Sequence, residues 1–497
     1  MEFLYKKEKN GYTVVGFLGE AAEEICIPEE FEGTAVAKIG AGAFYGRPEI
    51  KRAVVPKTVK SIDSYAFSKC ENLSEIIFFE GLKEIGEGAF LGCGGIKKVS
   101  FPDSLKKIGD KSFSWCTSLA EINFGGGKKS IGDTAFSFCT AVEEVYFNES
   151  VTKIGKGAFS VCSRLRKITV SACTRTIGSQ CFEACGNLED VFLSDGLKEI
   201  GSWAFRECKS IRMIELPKSL RSLGEGAFIG CVEIRSIRLP RGMKEIAAWT
   251  FGKCRNIEIM EIPQGVESIG SYAFSRCRRI KRLYLPKSLK RVERGAFSVC
   301  SGAERVEFGH GLLYMEERAF EMCGNLETVV IPQSLRKFNL KVFYECNNLE
   351  TIEYLIKGIK APYLYVAAEP CAVKFALKIE GRNINWEEYD SLFKKLKKQA
   401  SRRNMAIYRL KYPIGLKKQA REVYKAYLLR REYEIIKNAA EHGDTETIGF
   451  MGDMGLISEK FIDDYIEASG RTGGQATGYL LNYKHKNFNT ISKRFEL

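Results

Sequence analysis

The chain has 497 residues, a formal net charge of +14 and 45% hydrophobic residues, a composition that excludes a largely disordered protein. Its apolar runs are short and interrupted by charges, so none reaches the roughly 20 residues that a membrane helix needs. The histidines lie far apart in sequence, which leaves little material for imidazole catalysis or a histidine-rich metal site: His310, His442 and His485.

The N-terminus carries charges where a secretory signal would be apolar. No apolar stretch follows the segment from Met1 to Lys9, whereas a signal peptide needs a continuous apolar region. The 17 cysteines are an odd number spread over the chain, which argues against a fully paired disulfide framework. These features predict a cytoplasmic protein. The alternative is a secreted or surface protein whose leader is missing from this chain.

A phenylalanine recurs every 23 residues over most of the chain, without insertion or deletion. Cysteine follows it by three residues in thirteen of the fourteen repeats, from Cys70 to Cys346, and Arg47 takes that place in the first repeat. Such a register indicates a solenoid of repeats. The recurring phenylalanines are Phe44, Phe67, Phe90, Phe113, Phe136, Phe159, Phe182, Phe205, Phe228, Phe251, Phe274, Phe297, Phe320 and Phe343.

The repeat around Phe228 shows how each unit is expected to fold. Ile237 and Leu239 lie two residues apart, which predicts a strand with one buried face. Gly224 is expected to let the chain turn sharply. Four apolar residues with intervals of one, three and three predict one or two helical turns that face inward: Ala227, Phe228, Cys231 and Ile234.

Stacked repeats bury these side chains only against their neighbours, which is the packing of a solenoid. The predicted fold is an α/β repeat: a leucine-rich-repeat solenoid over residues 36–355, with a parallel β-sheet on its concave side. Fourteen strands at about 4.8 Å spacing would give a sheet on the order of 65–70 Å long. A surface of that length suits a macromolecular partner better than a small substrate.

The repeat pattern Ile-Gly-x-x-Ala-Phe-x-x-Cys-x-x-Leu-x-x-Ile-x-Leu-Pro resembles the BspA-type, or Treponema pallidum-type, leucine-rich repeat. The resemblance covers residues 36–355 and implies a bacterial binding protein; several surface-exposed members of the family are adhesins. Residues 1–35 resemble the usual entry of such arrays and are expected to form an N-terminal β cap. Nothing in the repeats predicts catalysis or a cofactor.

The thirteen repeated cysteines admit three interpretations. Disulfides between neighbours would need Cβ atoms about 3.5–4.5 Å apart, and zinc would need three or four convergent thiolates, whereas a ladder presents a line. The favoured interpretation is that each cysteine is a small buried apolar residue. Cys173, Cys181 and Cys185 lie close together in sequence, but two of them occupy regular repeat positions, so no metal site is predicted.

The segment from Gly125 to Ser130, Gly-Gly-Gly-Lys-Lys-Ser, is similar to a phosphate-binding loop. That loop requires Ser or Thr directly after the lysine, at the start of a helix. Here Lys129 intervenes between Lys128 and Ser130, and the repeat register already explains the segment as a turn. Nucleotide binding is therefore not predicted.

The binding surface is expected on the strand residues that flank the buried isoleucine, because exposed aromatic and apolar side chains anchor protein interfaces. A mixed, solvated face is the alternative. The candidate concave residues are Tyr146, Lys167, Phe192, Met213, Arg238, Ile259, Arg282, Tyr284 and Arg305.

Residues 356–497 are predicted to form an all-α module. Asn385 begins a helix that continues toward Leu396, and further helices are expected over 416–431, 433–442, 445–454, 458–469 and 474–486. The segments 439–444 and 468–472 loosely resemble ankyrin-type helix pairs, although the Thr-Pro-Leu-His signature is absent. At minimum, the module is expected to cap the open end of the solenoid.

The stretch 394–437 carries 15 basic and 3 acidic residues. With its interleaved tyrosines, it could bind nucleic acid or an acidic protein or membrane surface. The alternative is that lysines form the wet face of amphipathic helices. The candidate basic patch comprises Lys394, Lys395, Lys397, Lys398, Arg402, Arg403, Lys417, Lys418, Arg430 and Arg431.

The preferred hypothesis is a non-enzymatic scaffold whose solenoid binds a protein partner, without a metal or cofactor. A nucleic-acid-associated protein that uses residues 394–437 is the second hypothesis, and a surface adhesin is the third. An enzyme is disfavoured because no nucleophile, base and orienting group can be assembled from the sequence. The identity of the partner and the oligomeric state are not predicted.

Overall fold

The computed structural model describes residues 2–20, 22–332, 334–336, 340–349, 351–355, 364–367, 384–470 and 474–488. The chain divides into two compact units, Met1–Leu349 and Glu350–Leu497, and each is described by itself. The sequence placed the boundary a few residues later, between 355 and 356.

The first unit is a solenoid of parallel strands, as predicted. One set of strands, here called the first ladder, lies just before the recurring phenylalanines. Its strands pair in parallel from β2 to β20 and again from β22 to β28. At its N-terminal end, β1 pairs antiparallel with β2, and β4 pairs antiparallel with β5. The strands are β1 (Glu2–Glu8), β2 (Gly11–Leu18), β4 (Glu30–Phe31), β5 (Thr34–Ile39), β7 (Ser61–Ile62), β9 (Glu84–Ile85), β11 (Lys107–Ile108), β13 (Lys129–Ile131), β15 (Val151–Ile154), β17 (Thr176–Ile177), β19 (Glu199–Ile200), β20 (Ser222–Leu223), β22 (Glu245–Ile246), β24 (Ser268–Ile269), β26 (Arg291–Val292) and β28 (Tyr314–Met315).

The second ladder contains the strands that the sequence predicted. Its members are β3 (Glu24–Cys26), β6 (Arg52–Val55), β8 (Glu75–Phe78), β10 (Lys98–Ser100), β12 (Glu121–Asn123), β14 (Glu144–Phe147), β16 (Lys167–Val170), β18 (Asp190–Leu193), β21 (Ser236–Arg238), β23 (Ile259–Glu261), β25 (Arg282–Tyr284), β27 (Arg305–Glu307) and β29 (Thr328–Pro332). Unlike the predicted continuous sheet, it is interrupted: among these described strands, no pairing joins β8 to β10, β12 to β14 or β23 to β25. A further gap follows β18, because Met213 pairs only with Ser236.

The recurring phenylalanines form a continuous stack through the core. Ring centroids of neighbouring repeats lie 4.8–5.9 Å apart, from the pair Phe44–Phe67 to the pair Phe320–Phe343. Phe17 extends the stack at 5.9 Å from Phe44, so the N-terminal hairpin of β1 and β2 covers the first repeat.

The helical turns predicted around each phenylalanine are wrong for the first thirteen repeats. The segment consists of hydrogen-bonded turns, because the residues two before and two after the phenylalanine have left-handed φ values, such as 57° at Gly226 and 79° at Gly230. A left-handed residue on each side of Phe228 prevents continuation of a right-handed helix. Only the last repeat forms a short 3₁₀ helix, Leu340–Phe343.

In nine of the fourteen repeats, a glycine lies four residues before the phenylalanine. Its role differs from the sharp turn that the sequence predicted. A Cβ added at Gly224 would lie 2.3 Å from the backbone nitrogen of Ser202, and one at Gly155 would lie 2.5 Å from the backbone of Gly132. Neither glycine has a left-handed φ. The residue is therefore required for close approach of neighbouring backbones rather than for its conformation.

Each ladder cysteine is buried in its repeat position, as expected, and also makes a contact that the sequence did not predict. Its thiol donates a hydrogen bond to the carbonyl oxygen of the phenylalanine one repeat earlier, with sulfur–oxygen distances of 2.9–3.4 Å in all thirteen cases. The S–H group thus adds a hydrogen bond to a buried carbonyl that, as at Phe67, also accepts one from the backbone of its own repeat, while the apolar body of the cysteine fills the core.

The second unit begins with an antiparallel hairpin, β30 (Thr351–Leu355) and β31 (Leu364–Ala367). Seven α-helices follow within its described residues: α1 (Trp386–Ser391), α2 (Gln399–Lys411), α3 (Lys418–Arg430), α4 (Glu432–Glu441), α5 (Thr445–Asp453), α6 (Ile462–Ser469) and α7 (Gly474–Asn487). The predicted C-terminal helical region is confirmed, and the bounds of α3 to α7 lie close to those expected, but strand β31 lies within residues 356–497, where the sequence predicted only helices. Helix α2 was not predicted, and α1 ends before Leu396.

A buried arginine joins the first three helices. The guanidinium of Arg409 on α2 is fully buried and donates to both carboxylate oxygens of Asp390 on α1, at 2.7 and 3.2 Å. The hydroxyl of Tyr424 on α3 donates to the same carboxylate at 2.8 Å, and the Trp386 ring lies 4.4 Å from the guanidinium. The charge is therefore fully paired inside the unit.

Candidate protein-binding surface

The second ladder exposes one row of side chains on each side of its buried central residue. The strands β14 to β27, together with Met213, bring all nine candidate residues to this surface, here called the second-ladder face; Lys167 is half-buried and the other eight are exposed. Five large apolar side chains among them are 52–68% exposed: Tyr146, Phe192, Met213, Ile259 and Tyr284.

Neighbouring strands hold these side chains in a regular register. Lys167 pairs with Asp190 and Thr169 with Phe192 across β16 and β18, and the Lys167 ammonium lies 5.9 Å from the Phe192 ring. Arg282 and Arg305 are direct neighbours in β25 and β27. The face is therefore a grid of fixed positions in which partner side chains meet a defined order of residues.

Two grooves lie on this face, each at a gap in the second ladder. The Phe192 groove encloses about 610 Å³ between β18 and the next repeat, and its lining includes Phe192, Met213 and Glu215. The basic groove encloses about 790 Å³ at the gap between β23 and β25. Its lining includes Arg238, Arg241, Met260, Pro263, Tyr284 and Pro286.

The charge of the solenoid is unevenly distributed, which the sequence reasoning missed. Residues 206–310 carry 21 basic and 11 acidic side chains, a net of +10, whereas residues 1–205 carry 25 basic and 27 acidic ones, a net of −2. A count of charge by repeat, instead of over the whole solenoid, would have revealed it. The basic groove lies within the positive segment.

Stacked aromatic pairs lie on the turns rather than on the strands, and they were also missed; Trp115 is exposed and the other three aromatics are half-buried. Trp115 stacks on Phe138 with ring centroids 4.1 Å apart, and Trp249 stacks on Tyr272 at 4.6 Å. Trp115 and Phe138 occupy the same position of successive repeats, as do Trp249 and Tyr272. The signal in the sequence is therefore an aromatic repeated at an interval of 23 residues.

The cysteines do not build a metal or disulfide site in the described part of the chain. All sixteen cysteines described there are free, and those residues contain no group of three or more side chains placed to hold a metal ion. Burial raises the pKa of the Cys181 thiol well above its usual value, whereas Cys173 is exposed. The triple-glycine segment is likewise structural, since Lys129 is buried and pairs with Val151 in β15.

Several residues of the candidate basic patch form contacts with other residues of the second unit. Lys417 forms an ion pair with Glu387 at 2.6 Å, Arg431 pairs with Glu434 at 3.1 Å, and Arg402 donates to the carbonyl of Leu396. Other members are exposed on or near α1 and α3: Lys394, Lys395, Lys418 and Arg430. Nucleic acid binding by this segment stays a prediction.

Across the described residues, the helices are all too short or too polar to span a bilayer.

Comparison with known proteins supports the repeat assignment. A family model described as "BspA type Leucine rich repeat region" matches residues 37–166, 129–258 and 222–350. None of the curated proteins matches the chain.

Three solved structures illustrate the similarity. A leucine-rich repeat protein from Bacteroides ovatus is 24% identical with a TM-score of 0.46, covering 71% of this chain and 98% of its own. A leucine-rich cell surface protein from Faecalibacterium prausnitzii is 22% identical with a TM-score of 0.38, covering 72% and 94%. The T. pallidum leucine-rich repeat protein is 26% identical with a TM-score of 0.33, covering 47% and 87%.

Proposed function

Because the chain belongs to the BspA-type leucine-rich repeat family, whose model matches more than half of it, we propose that it is a non-catalytic scaffold that binds a protein through the second-ladder face. One observation carries the proposal: large apolar side chains, each more than half exposed, line the second-ladder face at Tyr146, Phe192, Met213, Ile259 and Tyr284.

These side chains are costly to leave in water and are held by a rigid backbone. A partner that covers them gains roughly 25 cal/mol for each Å² of apolar surface removed from water. Because the strands are fixed by the packed repeats, the face loses little conformational freedom on binding, which preserves affinity. Large apolar and arginine side chains are also enriched at the centres of protein interfaces.

Recovery of a partner from native lysate by the full chain tests the proposal. We expect the variant Phe192→Ser/Met213→Ser/Tyr284→Ser to lose the partner recovered by the wild type. The matched control is Tyr45→Ser/Met322→Ser/Tyr344→Ser, which removes three exposed side chains from turns and should retain it. Equal recovery by both variants, or loss in the control alone, would contradict the proposal.

We also propose a cytoplasmic location in a bacterial cell rather than the adhesin role. Sixteen free thiols, including exposed Cys26 and Cys173, suit a reducing compartment. Fractionation of the native host followed by immunodetection tests this, and recovery of the native protein at the cell surface would favour the adhesin hypothesis.

A further inference from the structure

The basic groove differs from the rest of the second-ladder face in both shape and charge. The strands β23 and β25 belong to successive repeats but are not hydrogen-bonded to one another, and the groove follows this gap. Met260, Pro263 and Pro286 provide apolar lining, and Tyr284, which is 60% exposed, stands at its side. An apolar side chain of a partner can therefore enter between the two repeats.

Two guanidinium groups lie beside this apolar lining, and a third is nearby. Arg238 and Arg241 line the groove, and Arg282 lies on the adjoining strand β25. Arg241 and Arg282 are exposed and form no ion pair within the described residues. Arg238 has only a long contact of 3.6 Å with Glu261, between two largely exposed side chains, which stabilises the solenoid little.

The register adds an unfavourable contact that a ligand could relieve. Arg282 and Arg305 stand directly beside one another in β25 and β27, and like charges at paired positions of a sheet destabilise it. The Arg305 guanidinium is paired with Glu307 at 2.6 Å, whereas Arg282 is not paired in the described structure. A carboxylate on a partner would neutralise Arg282 without displacing an existing ion pair.

From this arrangement we infer that the basic groove binds an acidic segment of a protein partner, with one apolar side chain between β23 and β25 and flanking carboxylates on Arg241 and Arg282. Arginine pairs with carboxylates through two parallel hydrogen bonds. Glu261 also lines the groove, and Glu307 lies on the neighbouring strand β27. The positive charge is therefore divided into separate positions, which suits spaced carboxylates better than the continuous charge of a nucleic acid. The inference rests on the proposed function and specifies the partner's chemistry.

Selection of short random peptides on the full chain tests the inference. We expect the enriched peptides to be negatively charged and to carry an aromatic or aliphatic residue between Asp or Glu. The affinity of the best peptide should fall at least about tenfold in Arg241→Glu/Arg282→Glu, because charge reversal turns attraction into repulsion. The matched control Arg255→Glu/Arg278→Glu changes exposed arginines off this face and should retain binding within about twofold.

Several results would overturn the inference. Enrichment of neutral or basic peptides, no enrichment at all, or an equal loss in both variants would each do so. Single-stranded DNA that competes fully with the peptide would assign the groove to nucleic acid instead. A salt-sensitive dimer, seen by analytical ultracentrifugation and lost only in Arg241→Glu/Arg282→Glu, would assign it to a second copy of the chain. None of these outcomes affects the lysate experiment with the Phe192, Met213 and Tyr284 variant, so the two proposals can fail separately.

Discussion

At the scale of single residues, the solenoid depends on side chains that are small or absent at fixed positions. Gly155 lies between the backbones of two repeats, and its missing Cβ leaves the space that Gly132 occupies. Ala247, Asp63 and Glu293 are among the residues that take the equivalent position in other repeats, so the backbone can adjust to a side chain there. The glycine column is therefore a packing requirement whose strength can be measured.

We expect Gly155→Ala to lower the free energy of unfolding by about 1–3 kcal/mol, because the added methyl group overlaps the neighbouring backbone. Urea denaturation followed by circular dichroism measures the change. Gly186→Ala is the control, since an added Cβ there meets nothing within 4 Å, and its effect should stay within about 0.5 kcal/mol. Equal effects of the two substitutions would show that backbone contact is not the cause.

The buried thiols predict a pH dependence at the same scale. Burial raises the pKa of Cys139, Cys254 and Cys300 to about 12, whereas an exposed thiol ionises near the ordinary value of 9.0. Above that pH the unfolded chain releases protons that the folded chain keeps. The stability is therefore complete below pH 9.0 and falls as pH rises toward 12, by about 1.4 kcal/mol per pH unit for each thiol.

Urea midpoints of the reduced protein at pH 8, 9 and 10 test this dependence. The variant Cys139→Ala/Cys254→Ala/Cys300→Ala should be less stable at pH 8, because it loses packing and three hydrogen bonds from thiols to carbonyl oxygens. Its stability should nevertheless fall less steeply with pH, because three buried thiols are absent. Parallel pH profiles for the variant and the wild type would contradict the assignment.

At the scale of secondary-structure elements, most helices of the second unit and the strands of the second ladder were predictable, whereas helix α2, the first ladder and the left-handed turns were not. The helices α3 to α7 follow apolar periodicity, and α5 also has a clear cap in Asp444, which accepts a hydrogen bond from the backbone of Thr447. Helix α2 was missed because its buried face includes Arg409, a residue that periodicity assigns to solvent.

The first ladder could not be read from alternation, because strands such as Ser61–Ile62 contain only two residues. The prediction of helical turns around each phenylalanine failed for a different reason, because these turns contain left-handed residues. Their backbone is set by hydrogen bonds to the next repeat, as from the Tyr65 nitrogen to the Glu87 carbonyl, and residues as large as Trp203 occupy them. A glycine in the same column, such as Gly88 or Gly226, is the one local signal for this conformation.

The nine face residues followed directly from strand alternation, because period 2 separates exposed from buried positions. The grooves did not, because they arise where pairing between strands is lost, and no single repeat contains that information. The gap between β23 and β25 depends on the relation between two repeats.

The contact between Arg409 and Asp390 gives a prediction at the scale of elements. We expect Asp390→Asn to destabilise the helical unit by about 3–5 kcal/mol, because it leaves a buried guanidinium without a counter-charge. Thermal unfolding monitored at the helical circular dichroism band measures it. Lys417→Gln breaks an exposed pair with Glu387 and should change stability by less than about 1 kcal/mol. Comparable losses would contradict the buried-pair argument.

At the scale of the whole molecule, the uninterrupted register makes the solenoid tolerant of changes in length. Ala135-Phe136-Ser137 and Ala158-Phe159-Ser160 are identical in sequence, so deletion of 137–159 removes one repeat and restores the same junction. We expect this variant to fold and to unfold cooperatively, because each repeat contacts its neighbours. The control deletion of 137–148 removes only part of a repeat and breaks the register, so it should abolish cooperative unfolding. If both deletions behave alike, packing between neighbouring repeats does not explain the stability of the solenoid.

The basic patch gives a second prediction at this scale. Because Lys417, Arg431 and Arg402 already have internal partners, we expect only non-specific affinity for single-stranded DNA, with Kd about 10⁻⁴–10⁻⁶ M at physiological salt. Fluorescence anisotropy over a salt series measures it. Much tighter binding, lost in Lys394→Gln/Lys395→Gln/Lys418→Gln/Arg430→Gln, would favour the nucleic acid hypothesis.

The constant interval of 23 residues also bears on how such a surface can evolve. In-frame duplication or loss of one repeat shifts every later side chain by one repeat along the solenoid. The packing of the phenylalanine core is preserved, because the interval between phenylalanines does not change. The spacing between the Phe192 groove and the basic groove can therefore change in whole repeats through gene rearrangement, while point substitutions alter what each groove accepts. Recombination alone could therefore adapt the spacing of the grooves to a partner of different length, and later point substitutions could adapt the groove residues to the chemistry of that partner.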